Sequence, residues 1–174
     1  METLCEDILA RCGDEPTCLV GSRFGANLAW KVCGQMGGIV RRVVLVEPIA
    51  DGGHYVEYLR RKQRVKDMMT GGGIGGQVGE FENLEGYMTS KVLLGQMAEF
   101  DMCEVKESVE RVGLVYVNAG GGCAAGRDVF RGAAERAAKF FEYAEVDGPM
   151  FWERVWDRGY GELIEKVVGL SVGE

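Results

Sequence analysis

The chain has 174 residues, 47% of them hydrophobic and 27% charged, with a formal net charge of −7. That length suits one ordinary domain able to bury most of its apolar surface, and the composition is globular rather than disordered. The acidic balance argues against nucleic-acid binding through phosphate neutralisation, and no apolar run approaches the roughly 20 residues of a membrane span.

The N-terminal METLCEDILARCG is acidic and lacks the basic start and apolar core of a secretory signal, which predicts a cytoplasmic protein. Leu4, Ile8, Leu9 and Cys12 recur at helical spacing and predict a helix from about Thr3 to Cys12, ended by Gly13. TCLVG reads as a buried strand, FGANLAWKVCGQM as a helix closed by Gly37 and Gly38, and VRRVVLVEP as a second strand stopped by Pro48. HYVEYLRRKQRVKDMMT is a long charged helix with Tyr55, Leu59 and Met69 on an intermittent apolar face. Its basic cluster, Arg60, Arg61, Lys62, Arg64 and Lys66, reads as a solvated helix side.

TGGGIGGQVG is a break. FENLEGYMTSKVLLGQMAEFDM follows as a short extended piece and a helix capped near Ser90. VGLVYVNAG is the third strand, GRDVFRGAAERAAKFF a helix, FEYAEV the fourth strand, and FWERVWDRGYGELIEKVVGL one or two closing helices. Alternating strands and helices predict an α/β fold, a short parallel sheet of about four strands with helices on both faces. Residues 1–174 form a single domain in this reading, with a small helical cap inserted over about 52–101, too long for one crossover helix. Open α/β sheets bind ligands at the carboxyl ends of their strands, where such a cap would lie.

Six cysteines, Cys5, Cys12, Cys18, Cys33, Cys103 and Cys123, include no C-x-x-C pair and share the chain with one histidine, His54. The pattern predicts reduced packing thiols and no metal or cofactor.

Strand, Gly21-Ser22-Arg23-Phe24-Gly25, helix resembles the nucleophile elbow of the α/β-hydrolase fold, whose flanking glycines relieve a strained tip. VVLVEPIADGGHYVEYLRR is similar to the strand, proline and acidic turn leading into the cap of serine-aminopeptidase-like hydrolases, and of the hydrolase-like proteins associated with exosortase systems. EVDGPMFWERV resembles the last strand and the loop that ends near the catalytic histidine. The resemblance spans nearly the whole chain as the C-terminal half of that fold, truncated at the N-terminus, and suggests a setting in exopolysaccharide or surface-protein processing.

It implies that the nucleophile position is Arg23, with Ser22 one place early, and that the histidine position is Met150. Arginine offers no acceptor lone pair and methionine cannot shuttle a proton. The acid would be Asp128, which the positive end of its own helix explains equally well. The strands that precede the elbow in that fold also supply an oxyanion-hole amide, so the hole would be at best half formed.

The expectation is therefore a hydrolase-like protein without hydrolase activity, acting as a ligand-binding or assembly module. Ser22 and Asp128 are the catalytic candidates, and Arg23, Phe24, His54 and Trp152 the candidates for binding a small anionic ligand. A homodimer or a complementary chain is expected to pair with the exposed Thr17–Gly21 edge strand. The alternative is an active serine hydrolase completed by a partner chain.

A Rossmann-type nucleotide binder is the third reading. It rests on Gly120, Gly122 and Ala125 after a strand, with Asp147 closing the next one; the match at Gly71, Gly73 and Gly76 follows a helix instead. Cys123 at a helix start is a bystander or reactive thiol. Aromatic and methionine residues in the cap and tail, among them Tyr58, Met68 and Trp156, line a pocket or fill the core.

Overall fold

The computed structural model describes residues 2–13, 15, 17–36, 38–71, 79–101, 109–118, 126–148 and 161–172. Its elements run α1 (Glu2–Cys12), β1 (Thr17–Ser22), α2 (Phe24–Gln35), β2 (Val40–Val46), α3 (Gly52–Thr70), β3 (Phe81–Leu84) and β4 (Tyr87–Ser90). They continue with α4 (Lys91–Ala98), β5 (Val109–Asn118), α5 (Arg127–Ala137), β6 (Ala138–Asp147) and α6 (Gly161–Val172). The chain divides into two compact units, Met1–Ala50 with Met102–Glu174, and Asp51–Asp101.

The first unit holds a four-stranded sheet in the order β1-β2-β5-β6, all neighbours parallel. Its central strands are runs of β-branched and aliphatic residues because both faces are covered, as parallel sheets require. Side chains alternate across the pleat, so Val44, Val46, Val115 and Val146 form one layer with Leu170 of α6. On the other face Trp30 of α2 meets Phe130 of α5 edge to face at 5.7 Å. Val43, Val44, Leu45 and Leu114 are fully buried, each stabilising the fold by about 1.5–3 kcal/mol. Gly113 leaves room for α6: a Cβ there would stand 3.2 Å from Leu170. Helices thus flank both faces, as the alternating pattern predicts.

Cys33 is buried, and desolvation pushes its thiol up to about 12; Cys18 is raised for the same reason, with Arg42 opposing. Both behave as apolar packing groups. Cys103 and Cys123 lie outside the described residues.

The second unit departs from a purely helical cap. Between α3 and α4 it contains an antiparallel hairpin, β3 paired with β4, where the sequence suggested one extended piece. Positive φ at both central residues, Glu85 (58°) and Gly86 (98°), makes the tight type I′ connection whose twist suits a hairpin.

The basic side of α3 is not simply solvated. Arg60 donates to both oxygens of Glu82, at 3.0 and 2.9 Å, and Lys62 lies 2.9 Å from Glu85. The Gln63 side chain accepts from the Glu85 amide at 2.7 Å, so one helix face holds the hairpin. Ser90 caps α4 by accepting from Leu93 N–H at 3.1 Å, where the sequence places that cap.

A second correction falls at α5, which ends at Ala137. Residues 138–141, read as helix from the alanine run, belong to β6, because Phe140 and Phe141 pair in register with Arg111 and Val112. Aromatic residues favour the half-buried pleat, and the sheet overrides local helix propensity. No helix among the described residues is long and apolar enough to cross a membrane.

Candidate functional site

The turn from β1 into α2 places Arg23 at its tip, with φ 53° and ψ −127°, a backbone conformation costly for a side-chain-bearing residue. Gly21 makes this bend possible. A Cβ there would meet the Gly25 carbonyl oxygen at 2.4 Å and the Ala26 Cα at 2.7 Å, so strand and helix can approach only through glycine. The Arg23 amide donates to the Val46 carbonyl at 2.9 Å, which pins the tip to the carboxyl end of β2.

Beside it, Glu47 follows the last residue of β2 with φ 49° and is buried. Its amide continues the ladder to the Val115 carbonyl at 2.8 Å. Its carboxylate is held from two directions. Val117 N–H donates to Oε1 at 2.5 Å, and Arg127 Nη2 donates to the same oxygen at 2.7 Å. Arg23 Nη1 lies 3.9 Å from Oε2, beyond a charge-assisted hydrogen bond but within strong Coulombic reach.

The side chain of Asn27, fully buried on α2, clamps the following segment. It donates to the Ile49 carbonyl at 2.8 Å and accepts from the Ile49 amide at 2.9 Å.

Both arginines stand at helix beginnings. Arg23 is the N-cap residue of α2, which has no side-chain cap, and Arg127 is the first residue of α5 after Gly126. A cation there opposes the positive end of the helix dipole. Gly126 has φ 84°, and a Cβ on it would stand 2.7 Å from Ala50 Cβ, so α5 starts tightly against the chain that leaves β2. The Arg127 guanidinium also covers the Tyr116 ring at 4.6 Å. Burial, then the Glu47 charge, raises the Tyr116 phenol well above its ordinary value, and its hydroxyl has no hydrogen-bond partner among the described residues.

Ser22, Arg23 and Phe24 come together at the elbow because they are consecutive; Ser22 is exposed, and the other two are half-buried. Asp128 sits exposed in the first turn of α5, one residue after Arg127. His54 lies in the second unit, exposed in the first turn of α3, with Nδ1 3.0 Å from Asp51 Oδ2. Asp51 caps that helix by accepting from the His54 amide at 2.8 Å. That bond, with the ring contact, lowers its carboxyl below the ordinary value.

Trp152, Met150, Cys123 and the Gly120, Gly122, Ala125 motif lie outside the described residues, as do Gly73 and Gly76. Glu47, Arg127 and Tyr116 were not picked out by sequence reasoning. The available signal was a carboxylate placed directly after the apolar run Val43–Val46, at the end of the sheet where ligands bind.

No family model matches the chain, and no curated protein matches it. Solved structures do. One is MGS-MChE2, described as an α/β-hydrolase enzyme from the metagenome of lagoon sediments at Mar Chica, Morocco, with TM-score 0.51 and 10% identity over 94% of this chain and 66% of that one. A second, from Desulfitobacterium hafniense, is described as a candidate α/β-hydrolase family protein, with TM-score 0.54 and 15% identity over 84% and 65%. The carboxylesterase CesB of Bacillus subtilis aligns with TM-score 0.52 and 12% identity over 97% and 64%. The chain therefore spans just under two-thirds of the length of these proteins. At such identities the likeness concerns the fold alone: a four-strand parallel sheet flanked by helices, corresponding to part of an α/β-hydrolase fold.

Proposed function

We propose that this is a hydrolase-like protein whose elbow binds an anion instead of launching acyl transfer, so that the chain works as a ligand-binding or assembly module. The observation that carries this reading is the pair of arginines at two helix N-termini with one buried carboxylate for company. Glu47 satisfies Arg127 at 2.7 Å, while Arg23 keeps a longer 3.9 Å separation and remains partly exposed. Two guanidiniums and the start of α2 gather positive charge around Glu47 at the tip. A guanidinium there presents a donor fork matched to a carboxylate or phosphate and has no lone pair with which to attack an ester.

The assembly half of the reading is supported by the two sheet edges. β6 carries Lys139, Glu142, Glu145 and Asp147, charges that discourage pairing, whereas Thr17–Ser22 of β1 has none, and Val20 is half exposed. The β1 edge is suited to accept a strand from a second copy or a complementary chain. A stable lone monomer in size-exclusion chromatography with light scattering would count against it.

The rival reading, an active serine hydrolase completed by a partner chain, is favoured by the exposed Ser22 beside the tip. Turnover of p-nitrophenyl esters of varied acyl length separates the two. Anion binding predicts no turnover above buffer for the wild type or for Ser22→Ala; turnover that Ser22→Ala abolishes would establish the hydrolase.

A further inference from the structure

Two exposed helix faces of this chain carry complementary patterns. On α3, Val56 and Gln63 mark the buried side. Successive helical residues turn by about 100°, so Arg61, Val65 and Met68 lie on the opposite side, with Arg64 and Met69 at its margins. Met68 and Met69 are 84% and 82% exposed, and Val65 is half exposed. Three such residues within two turns form an apolar patch rather than scattered single exposures. Two cations accompany it. Arg60 and Lys62 are committed to the hairpin through Glu82 and Glu85, and Arg60 also engages Glu57. Arg61 and Arg64 are exposed and make no ion pair among the described residues.

The outer face of α6 has the reverse sign. Leu163, Val167 and Leu170 face the sheet. Away from them stand Glu165, Val168 and Val172, with Glu162 and Ile164 at the margins, all exposed. Glu162 and Glu165 make no ion pair among the described residues, and the one cation of this helix, Lys166, lies beyond Glu162 from the valines. Both helices place charge first and apolar residues after it. Arg61 and Arg64 precede Met68 and Met69, and Glu162 and Glu165, at the same spacing, precede Val168 and Val172. Aligned in parallel, the two faces set guanidinium against carboxylate and methionine against valine. Antiparallel alignment would set charge against apolar surface.

We propose that α3 of one copy docks in this parallel sense on α6 of a second copy, a contact separate from the elbow and from the β1 edge. The unbranched methionines adapt to the valine ridge, and the opposite charges fix register and orientation more than they add affinity. Because the two faces differ, the contact is head-to-tail, and each copy keeps one free face of each kind, so association grows with concentration. Two short helical stripes bury less than a standard interface, which makes each contact weak.

The test mixes two variants, each blocked on one face by changes at exposed positions that leave the core untouched. ¹⁵N-labelled Val168→Asp/Val172→Asp protein keeps α3 and loses α6; unlabelled Arg61→Glu/Arg64→Glu protein keeps α6 and loses α3. Only labelled α3 can then meet unlabelled α6. Titration to about 1 mM added protein should give saturable shifts at the amides of Arg61, Val65, Met68 and Met69. Adding Glu162→Arg/Glu165→Arg to the unlabelled protein should weaken binding by about tenfold or more. Pairing through the β1 edge, which every variant retains, would move the Thr17–Ser22 amides instead, so the two contacts are read separately. A flat titration at α3, undiminished binding of the fourfold variant, or α3 shifts produced by phosphatidylglycerol vesicles and not by the added copy would each overturn the proposal.

Discussion

The two ends of the sheet treat arginine in opposite ways. At the carboxyl end Arg23 and Arg127 converge on Glu47, which is buried and held by a backbone amide as well. At the amino end Arg42 and Arg111 face each other in register, half-buried rather than sealed from water. The difference teaches where charge is structural. A buried carboxylate survives only because its partners are built around it, whereas half-buried arginines at the open end keep contact with water.

Removing Glu47 gives the largest expected effect and sharpens that contrast. Glu47→Ala strands Arg127 and the Val117 amide and should cost about 3–5 kcal/mol in urea unfolding, whereas Arg111→Met should change stability by less than about 1 kcal/mol. Equal losses at the two ends would break the comparison.

The elbow tip comes next. Arg23→Gly and Arg23→Ala both delete the guanidinium, but only glycine accepts φ 53° and ψ −127° without strain. The glycine variant should be the more stable by about 1–2 kcal/mol in thermal or urea melts. Equal stabilities would mean that the tip stores no strain.

The smallest effect lies away from the sheet. The Arg60 guanidinium lowers the Glu82 carboxyl below its ordinary 4.5. A lowered native value means that its contribution is fully present above 4.5 and is lost as the pH falls through the native value. Hydrogen exchange at β3 and β4 amides, corrected for intrinsic rates, should therefore show protection falling once the pH drops below 4.5, with Glu82→Gln removing the pH step.

Much of this was legible in the chain. Gly21 and Gly25 bracket three residues centred on Arg23 between a short apolar run and a helix, which placed Arg23 at the tip; runs six to ten residues long, rich in aliphatic residues, marked the strands of a covered parallel sheet. Glu47 was not legible as a site, because a charged residue before Pro48 reads equally well as a strand stop. Its partner Arg127 lies 80 residues away, and no local period encodes that contact. The hairpin escaped for a related reason. Its strands are four residues each, and Glu85-Gly86 lacks the Asn-Gly or Asp-Gly signature that marks such turns. The opposed arginines at the amino end emerge only once β2 and β5 are set in register.

The most direct measurement is an acetate titration monitored at the Arg23 Nε–H resonance, in the wild type and with Arg23→Met as the assignment control. An anion-binding elbow predicts a saturable shift of that resonance, and loss in the variant of the accompanying shifts at the Phe24 and Gly25 amides. A flat titration in the wild type, or elbow amide shifts that persist in Arg23→Met, would contradict it.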